Sequence, residues 1–320
     1  MESPAAYPLP QPHAPSLLAR LVGASSPLQA KKAVWGYLFL LPWILGLLIF
    51  WIGPILTSFY LSFTEYDVIS DPRWVGLANY QQAFFRDDQF WPSLGRTFTY
   101  SLVVVPLGLT GSLLLAVLLN RGMRGTNLFR TIFFLPHLTP VVALALLWGW
   151  LFHPSVGPVN AALGAIGIPG PGWVQSKEWA LPALIIIALW ANWGGNAMLI
   201  FLAGLQGVPQ ELLDAAQIDG AGVWAKFRHI TVPMISPTIL FNLVLGIIGS
   251  LQVFSLAFIL TQGGPTYATW FYALHIYQNA FAYFKMGYGS ALAWIFVVVL
   301  LIFTYIQLNL SKRWVYYGGE

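Results

Sequence analysis

Residues 205–233 read Leu205-Gln-Gly-Val-Pro-Gln-Glu-Leu-Leu-Asp-Ala-Ala-Gln-Ile-Asp-Gly-Ala-Gly-Val-Trp-Ala-Lys-Phe-Arg-His-Ile-Thr-Val-Pro233. Pro209 suits a first helical position, with Gln210 and Glu211 near the positive end of the helix dipole. Leu212, Leu213, Ala215 and Ala216 continue a small-residue helix with one apolar face. Asp219-Gly220 stops it, because Gly220 can take the positive φ at which a helix turns off. Asp219 is then placed to cap a second helix from Gly222 to Ile230, with Val223, Phe227 and Ile230 on its apolar side. Pro233 is expected to end that helix. The segment reads as a helix–turn–helix. Taken alone, such a polar stretch could be an ordinary interfacial connector.

Its flanks are apolar on both sides. A spanning helix needs about 20 predominantly apolar residues, and six segments qualify: 35–62, 97–120, 129–152, 180–204, 235–261 and 288–310. Runs such as Ser101-Leu-Val-Val-Val-Pro106 and Phe296-Val-Val-Val-Leu-Leu-Ile-Phe303 do not alternate polar with apolar, so they do not fit a barrel. Helices are the remaining spanning form that satisfies the backbone in lipid. The expected fold is an all-α polytopic membrane protein with six transmembrane helices, and residues 205–233 connect spans four and five.

Composition agrees. The 320 residues are 58% hydrophobic and only 8% charged, with a mean hydropathy of +0.69; soluble domains are roughly a quarter charged. Fifteen Trp, 14 Tyr and 22 Phe suit a chain that places rings at two membrane interfaces. The net charge of +4 comes from scattered Lys and Arg flanking apolar runs, which does not point to nucleic acid. The absence of cysteine excludes disulfides, thiolate metal sites and a Cys nucleophile.

Orientation follows from Lys and Arg. With the N-terminus inside, the inner segments hold Arg20, Lys31, Lys32, Arg121, Arg124, Arg130, Lys226, Arg228, Lys312 and Arg313. The outer ones hold Arg73, Arg86, Arg96, Lys177 and Lys285. Both termini are therefore expected in the cytoplasm. Residues 1–32 are expected to form a disordered or interfacial tail, in which Leu17–Val22 could lie on the membrane as a short amphipathic turn. The apolar run after Lys31-Lys32 is far longer than the roughly 7–15 residues of a signal-peptide core, so it reads as an uncleaved first span. Residues 33–311 form the six-span domain and 312–320 a second cytoplasmic tail.

Asp214-Ala215-Ala216, three residues, Gly220, nine residues, Ile230, one residue, Val232-Pro233 resembles the EAA loop of ABC-importer permease subunits. That pattern is Glu-Ala-Ala, three, Gly, nine, Ile, one, Leu-Pro; Asp214 and Val232 depart from it while keeping the chemistry. Val75-Gly-Leu-Ala-Asn-Tyr80 is similar to the Gly-Leu-x-Asn-Tyr element of carbohydrate-uptake permeases. Leu260-Thr-Gln-Gly-Gly-Pro265, with Thr269, Tyr277 and Gly287-Tyr288, resembles the first-subunit half of the maltose and glycerol-phosphate pairs. The similarity covers about residues 35–310.

The resemblance implies an ATPase-coupling helix built from Asp214, Ala215, Ala216, Asp219, Gly220 and Ala221. Phe227, Ile230 and Pro233 would tie it back to the spans. It also implies the partners: a homologous second permease subunit in a heterodimer, two cytoplasmic ABC ATPase subunits and an extracytoplasmic solute-binding protein, in a bacterial or archaeal plasma membrane. The chain has no Gly-x-x-x-x-Gly-Lys-Ser/Thr, so ATP and Mg belong to the partner ATPase. No cofactor is expected in this chain, no catalytic residue and no metal site.

Polar groups inside spans are costly and default to functional candidates. By analogy with sugar permeases, Asn196, Ser250 and Gln252 are expected along a substrate pathway, with Trp193 and Phe254 as stacking faces; Trp190, Asn192, Asn242 and Ser255 lie in the same spans. Each could equally hold a neighbouring helix or anchor an interface. His137, between Pro136 and Pro140, is expected to pack at a kink. The spans hold almost no charge, which argues against ion-coupled transport and for a neutral, hydroxyl-rich solute such as a di- or oligosaccharide. Glycerol 3-phosphate through the same architecture is the alternative. A secondary transporter or an intramembrane enzyme is a poorer fit, since no His-Glu-x-x-His or paired-Asp motif appears.

Overall fold

The structure, a computed structural model, describes residues 27–122 and 125–316. The expected amphipathic turn at 17–22 and the inner-turn Arg124 lie outside the described residues. The chain divides into two units, residues 1–60 and 61–320. In the first, helix α1 (Pro27–Leu47) leads through a π-turn (Leu48–Ile52) into α2 (Gly53–Leu61). The helix thus begins inside the stretch expected to be tail. The π-turn has a local cause: Pro54 lacks an N–H and its ring crowds the carbonyl four residues back, so the helix widens by a residue before it.

In the second unit a two-residue antiparallel ribbon comes first. β1 (Thr64–Glu65) pairs with β2 (Arg73–Trp74) in the register Thr64 to Trp74 and Glu65 to Arg73, and Arg73 forms an ion pair with Glu65. Helix α3 (Ala78–Phe85) follows, then α4 (Phe90–Leu119), the long central helix. The expected third span is two helices, α5 (Thr126–Leu138) and α6 (Val141–Leu151), which meet at 93°. Pro140 explains the break, since it has no N–H and biases Thr139 to the extended conformation seen there (ψ 126°). A short helix α7 (Pro158–Ala165) leads on to α8 (Ala180–Asn192) and α9 (Asn196–Gln206), which meet at 44° across Trp193-Gly194-Gly195.

The polar connector forms α10 (Gln210–Ile218) and α11 (Val223–Lys226), a π-turn (Phe227–Thr231) and α12 (Val232–Met234). Helix α13 (Ser236–Leu251) and α14 (Ser255–Leu260) make up the expected fifth span. A helix α15 (Tyr272–Tyr277), a π-turn (Gln278–Ala282) and α16 (Met286–Ser311) are the last described elements. The region after α16 turns back: the Tyr316 N–H donates to Ser236 Oγ at 2.8 Å.

Among the described residues, four helical stretches are long and apolar enough to cross a membrane: Lys31–Leu61, Phe90–Leu119, Ser236–Leu260 and Met286–Ser311. There are six if each bent pair is one span. Helix α4 packs against α8, α9, α13 and α15. Three apolar clusters surround it: one around Leu184, Ile187 and Phe271, one around Phe90, Tyr272 and Leu292, and one around Met198, Phe201 and Ile235.

Candidate functional site

Where α4, the bend after α5, the α8–α9 break and α13 converge, they enclose a cavity of about 400 Å³. Ligand sites start at roughly 300 Å³. The polar lining comes from Tyr100 and Ser112 of α4, His137 of α5, Asn192 and Asn196 flanking the break, and Asn242 and Ser250 of α13. Among the described residues no Lys, Arg, Asp or Glu lines it. Ser250 Oγ donates to the Ile247 carbonyl at 3.0 Å, so Ser101 Oγ, 2.5 Å away, supplies the proton between the two hydroxyls. Asn192 and Asn242 each donate Nδ2 to a carbonyl one turn back, Ala188 and Thr238, at 2.7 and 3.1 Å. Their Oδ1 atoms remain as acceptors. The Asn196 amide has no hydrogen-bond partner among the described residues. The wall thus offers neutral donors and acceptors, the pattern that hydroxyl groups match.

The structure brings Asn196 and Ser250 to this cavity and does not bring Trp193, Gln252 or Phe254. The Trp193 indole N–H donates to Leu107 O at 3.0 Å, and its ring lies in a separate apolar groove with Trp148 and Trp190. Gln252 is exposed at the C-terminal end of α13. Phe254 stacks on Phe258 with ring centroids 5.2 Å apart. The reason is shared: both expected spans are interrupted here, which rotates these residues off the face that a continuous helix would give them. His137 does sit at a kink, and it also lines the cavity. Tyr100 and Ser112 were missed, although polar residues in an apolar run were the available signal.

Two glycines let the breaks approach. A Cβ at Gly194 would collide with the Phe133 carbonyl, and one at Gly195 would lie 2.8 Å from His137 Nδ1.

In the connector, Gly220 adopts φ +80° as its place in the turn requires. Asp219 closes α10 rather than capping α11, whose N-cap is Gly222 without a side-chain bond. Pro233 does not end the second helix. The π-turn widens the backbone ahead of it, as before Pro54, and the chain turns at Ile235. Asp214 is exposed and accepts only from Gln210 Nε2, at 3.0 Å. Ala215 is exposed, Ala216 and Ala221 are half-buried, and so are Phe227 and Ile230. Four apolar side chains face outward from this polar segment: Leu212, Ile218, Val223 and Trp224, the last three at least 70% exposed. Exposed apolar patches mark contact surfaces.

The other motif residues are joints. Asn79 donates to the Ser62 and Thr64 carbonyls at 2.9 and 2.8 Å, and the Tyr80 hydroxyl pairs with Ser62 Oγ at 2.8 Å. Gly287 lies so close to the Thr64 carbonyl that a Cβ would collide with it. Gly263, at φ +85°, lies under the Trp270 ring, and Thr269 Oγ1 donates to the Gly264 carbonyl at 2.9 Å. Asp87, before α4, accepts from His275 Nε2 at 2.8 Å and from the Tyr288 hydroxyl at 2.5 Å.

Comparison with known proteins is consistent along the chain. Residues 108–316 match the family described as binding-protein-dependent transport system inner membrane component. The probable ABC transporter permease protein YesP of Bacillus subtilis is 42% identical over 91% of this chain and 94% of its own length. The trehalose/maltose transport system permease protein MalF of Thermococcus litoralis is 32% identical over 90% and 97%. Among solved structures, a chain of a bacterial alginate ABC transporter in complex with an alginate pentasaccharide-bound periplasmic protein superposes with a TM-score of 0.78. It is 27% identical, over 88% of this chain and 96% of that one.

Proposed function

This chain belongs to the family of binding-protein-dependent transport system inner membrane components, and from that premise we propose that it forms half of the translocation pathway of an ATP-driven importer for a neutral di- or oligosaccharide. Each bent helix pair is one span, giving six, with both termini in the cytoplasm. Residues 33–311 are the permease domain, 1–32 and 312–320 its cytoplasmic tails, and 205–233 its coupling loop. The other half of the pathway is a homologous permease. Two cytoplasmic ATPase subunits hold ATP and Mg, and a solute-binding protein docks outside against the loop 262–287. The membrane is the plasma membrane of a bacterium or archaeon.

The observation that carries the solute reading is the cavity beside α4. It is lined by asparagine, serine, tyrosine and a histidine, with no fixed charge. A sugar hydroxyl both donates and accepts, so it can use the free Asn196 amide and the remaining Oδ1 atoms of Asn192 and Asn242. A phosphate ester would enter the same space without a cation to meet it, and desolvating an unpaired charge is expensive. MalF of Thermococcus litoralis is named for trehalose and maltose, which supports the same class. For coupling, the support is the outward-facing Leu212, Ile218, Val223 and Trp224 beside small residues Ala215, Ala216, Gly220 and Ala221. A helix with small residues can sit deep in a partner's groove.

Two measurements test this. Melting of the cognate binding protein is expected to rise with a di- or oligosaccharide and not with glycerol 3-phosphate. In proteoliposomes, Asn196→Leu is expected to lower uptake roughly tenfold, the loss of one or two hydrogen bonds of about 1 kcal/mol each, with ATPase capture intact. A response to phosphate esters alone sinks the neutral-solute reading, and failure of the unmodified chain to capture an ATPase sinks the importer reading.

A further inference from the structure

A turn before α4 and the neighbouring helices α15 and α16 meet around one buried histidine. Asp87 comes from the turn before α4, His275 from α15 and Tyr288 from α16. The side chains of His275 and Asp87 are 5% and 13% exposed. On its other side the ring faces Trp270, whose indole Nε1–H donates to His275 Nδ1 at 3.1 Å, and Asn279, whose Nδ2 lies 3.3 Å from the same nitrogen. An indole nitrogen can only donate. Nδ1 must therefore carry a lone pair, and the proton sits on Nε2, where Asp87 accepts it. The arrangement selects a neutral histidine of one tautomer.

A second proton would go to Nδ1, where two donors already point. Asn279 cannot simply turn its amide to offer Oδ1, because its Nδ2 also donates to the His275 carbonyl at 2.9 Å. Trp270 has no acceptor to offer. It is 8% exposed, so it would be left as a buried donor facing another donor, an arrangement that buried polar groups avoid. Meanwhile the protonated ring would hold Asp87 more tightly, since a hydrogen bond between opposite charges is stronger than a neutral one. The other titratable groups beside the ring are Tyr288, bonded to Asp87, and Tyr272, with its ring centroid 6.4 Å away and its hydroxyl committed to the Leu292 carbonyl at 2.9 Å. Among the described residues no Lys or Arg hydrogen-bonds to any member of the group.

Trp270 is also the cover of the turn 261–270. Its ring lies over Gly263, its backbone N–H donates to the Tyr267 carbonyl at 3.1 Å, and its ring meets that of Tyr267 edge-on at 5.2 Å. We propose that His275 is a proton-operated latch: its neutral form holds the turn 261–270 closed through Trp270, and its protonated form releases Trp270 and that turn while tightening on Asp87. That the turn lies outside, next to a binding protein, rests on the orientation proposed above. The latch does not, and its test reads the turn directly without transport.

The chain contains no cysteine, so Tyr267→Cys gives a single attachment point in the full-length protein. Tyr267 is 48% exposed and already adopts φ +62° with a side chain. A bimane attached there, in nanodiscs, is quenched by Trp270 while the turn is closed. Emission is expected to rise as the pH is lowered from 8 to 5 and to stay flat after His275→Gln. Glutamine keeps an N–H for Asp87 and a carbonyl for Trp270 but takes up no proton. A rise that persists unchanged in His275→Gln, or no rise in the labelled parent, would overturn the latch.

Discussion

Gly287 carries one of the sharpest constraints in the chain. Its missing side chain is what lets α16 lie against the Thr64 carbonyl, and its own N–H donates to the Tyr66 carbonyl at 3.1 Å. Gly287→Ala should therefore force backbone apart and lower stability by about 1–3 kcal/mol, the usual cost of overpacking; thermal unfolding of the purified chain measures it. Asp87 gives a second expectation. Burial alone would raise its pKa, but the hydrogen bonds from His275 and Tyr288, the charge of protonated His275 and the Gln89 N–H outweigh it and hold the carboxyl at about 2. A depressed carboxyl contributes stability above its ordinary value of about 4 and loses it as pH falls towards 2, at most about 2 kcal/mol here. Acid unfolding of the full chain between those values should lose that increment, and Asp87→Asn should abolish that part of the slope. Gly287 was within reach of sequence reading only in part. Gly287-Tyr288 was visible as a motif, but the role of its glycine was not, because a close approach across more than 200 positions leaves no local mark. Asn196 and Ser250 were legible as polar groups in apolar runs; Gln252 satisfied the same rule and landed elsewhere, as did Trp193 and Phe254, expected as stacking faces.

The elements explain that difference. Periodicity assigns a face only while a helix continues, and α8, α13 and α5 all stop short of the runs that contain them. Pro140 announced one break, and Gly194-Gly195 could have announced another. Nothing at Gln252-Val253-Phe254 does so, since those residues are compatible with an apolar helix. The two π-turns at 48–52 and 227–231, each ending two residues before a proline, show the opposite error: a proline read as a stop can instead be absorbed. The connector was read well for its turn and less well for its caps. That matters for testing it. Gly220→Trp would strain a φ of +80° by about 1 kcal/mol or more, so lost function would have two causes. Ala215→Trp is the cleaner substitution, because Ala215 is exposed on α10 and its backbone is helical. The chain should insert and melt as before, while ATPase recovered on pull-down falls at least tenfold. Undiminished recovery with Ala215→Trp would remove α10 from the coupling role.

For the whole molecule, the membrane class was legible from 8% charge and six apolar runs, whereas the joints at Gly287 and Asp87 were not, being built from contacts between remote segments. One feature ties the two ends of the molecule together. Helix α9 runs without interruption from Asn196 at the cavity to Gln206, one short bend before α10. Eleven residues make a rod of about 16 Å at 1.5 Å per residue. A rod of that length tilted by about 10° around its middle carries each end through about 1.4 Å. That is half the length of a hydrogen bond. On the coupling and solute readings proposed above, a nudge at the connector would be enough to take the Asn196 amide out of reach of a hydroxyl, so one helix would both meet the motor and loosen the cargo.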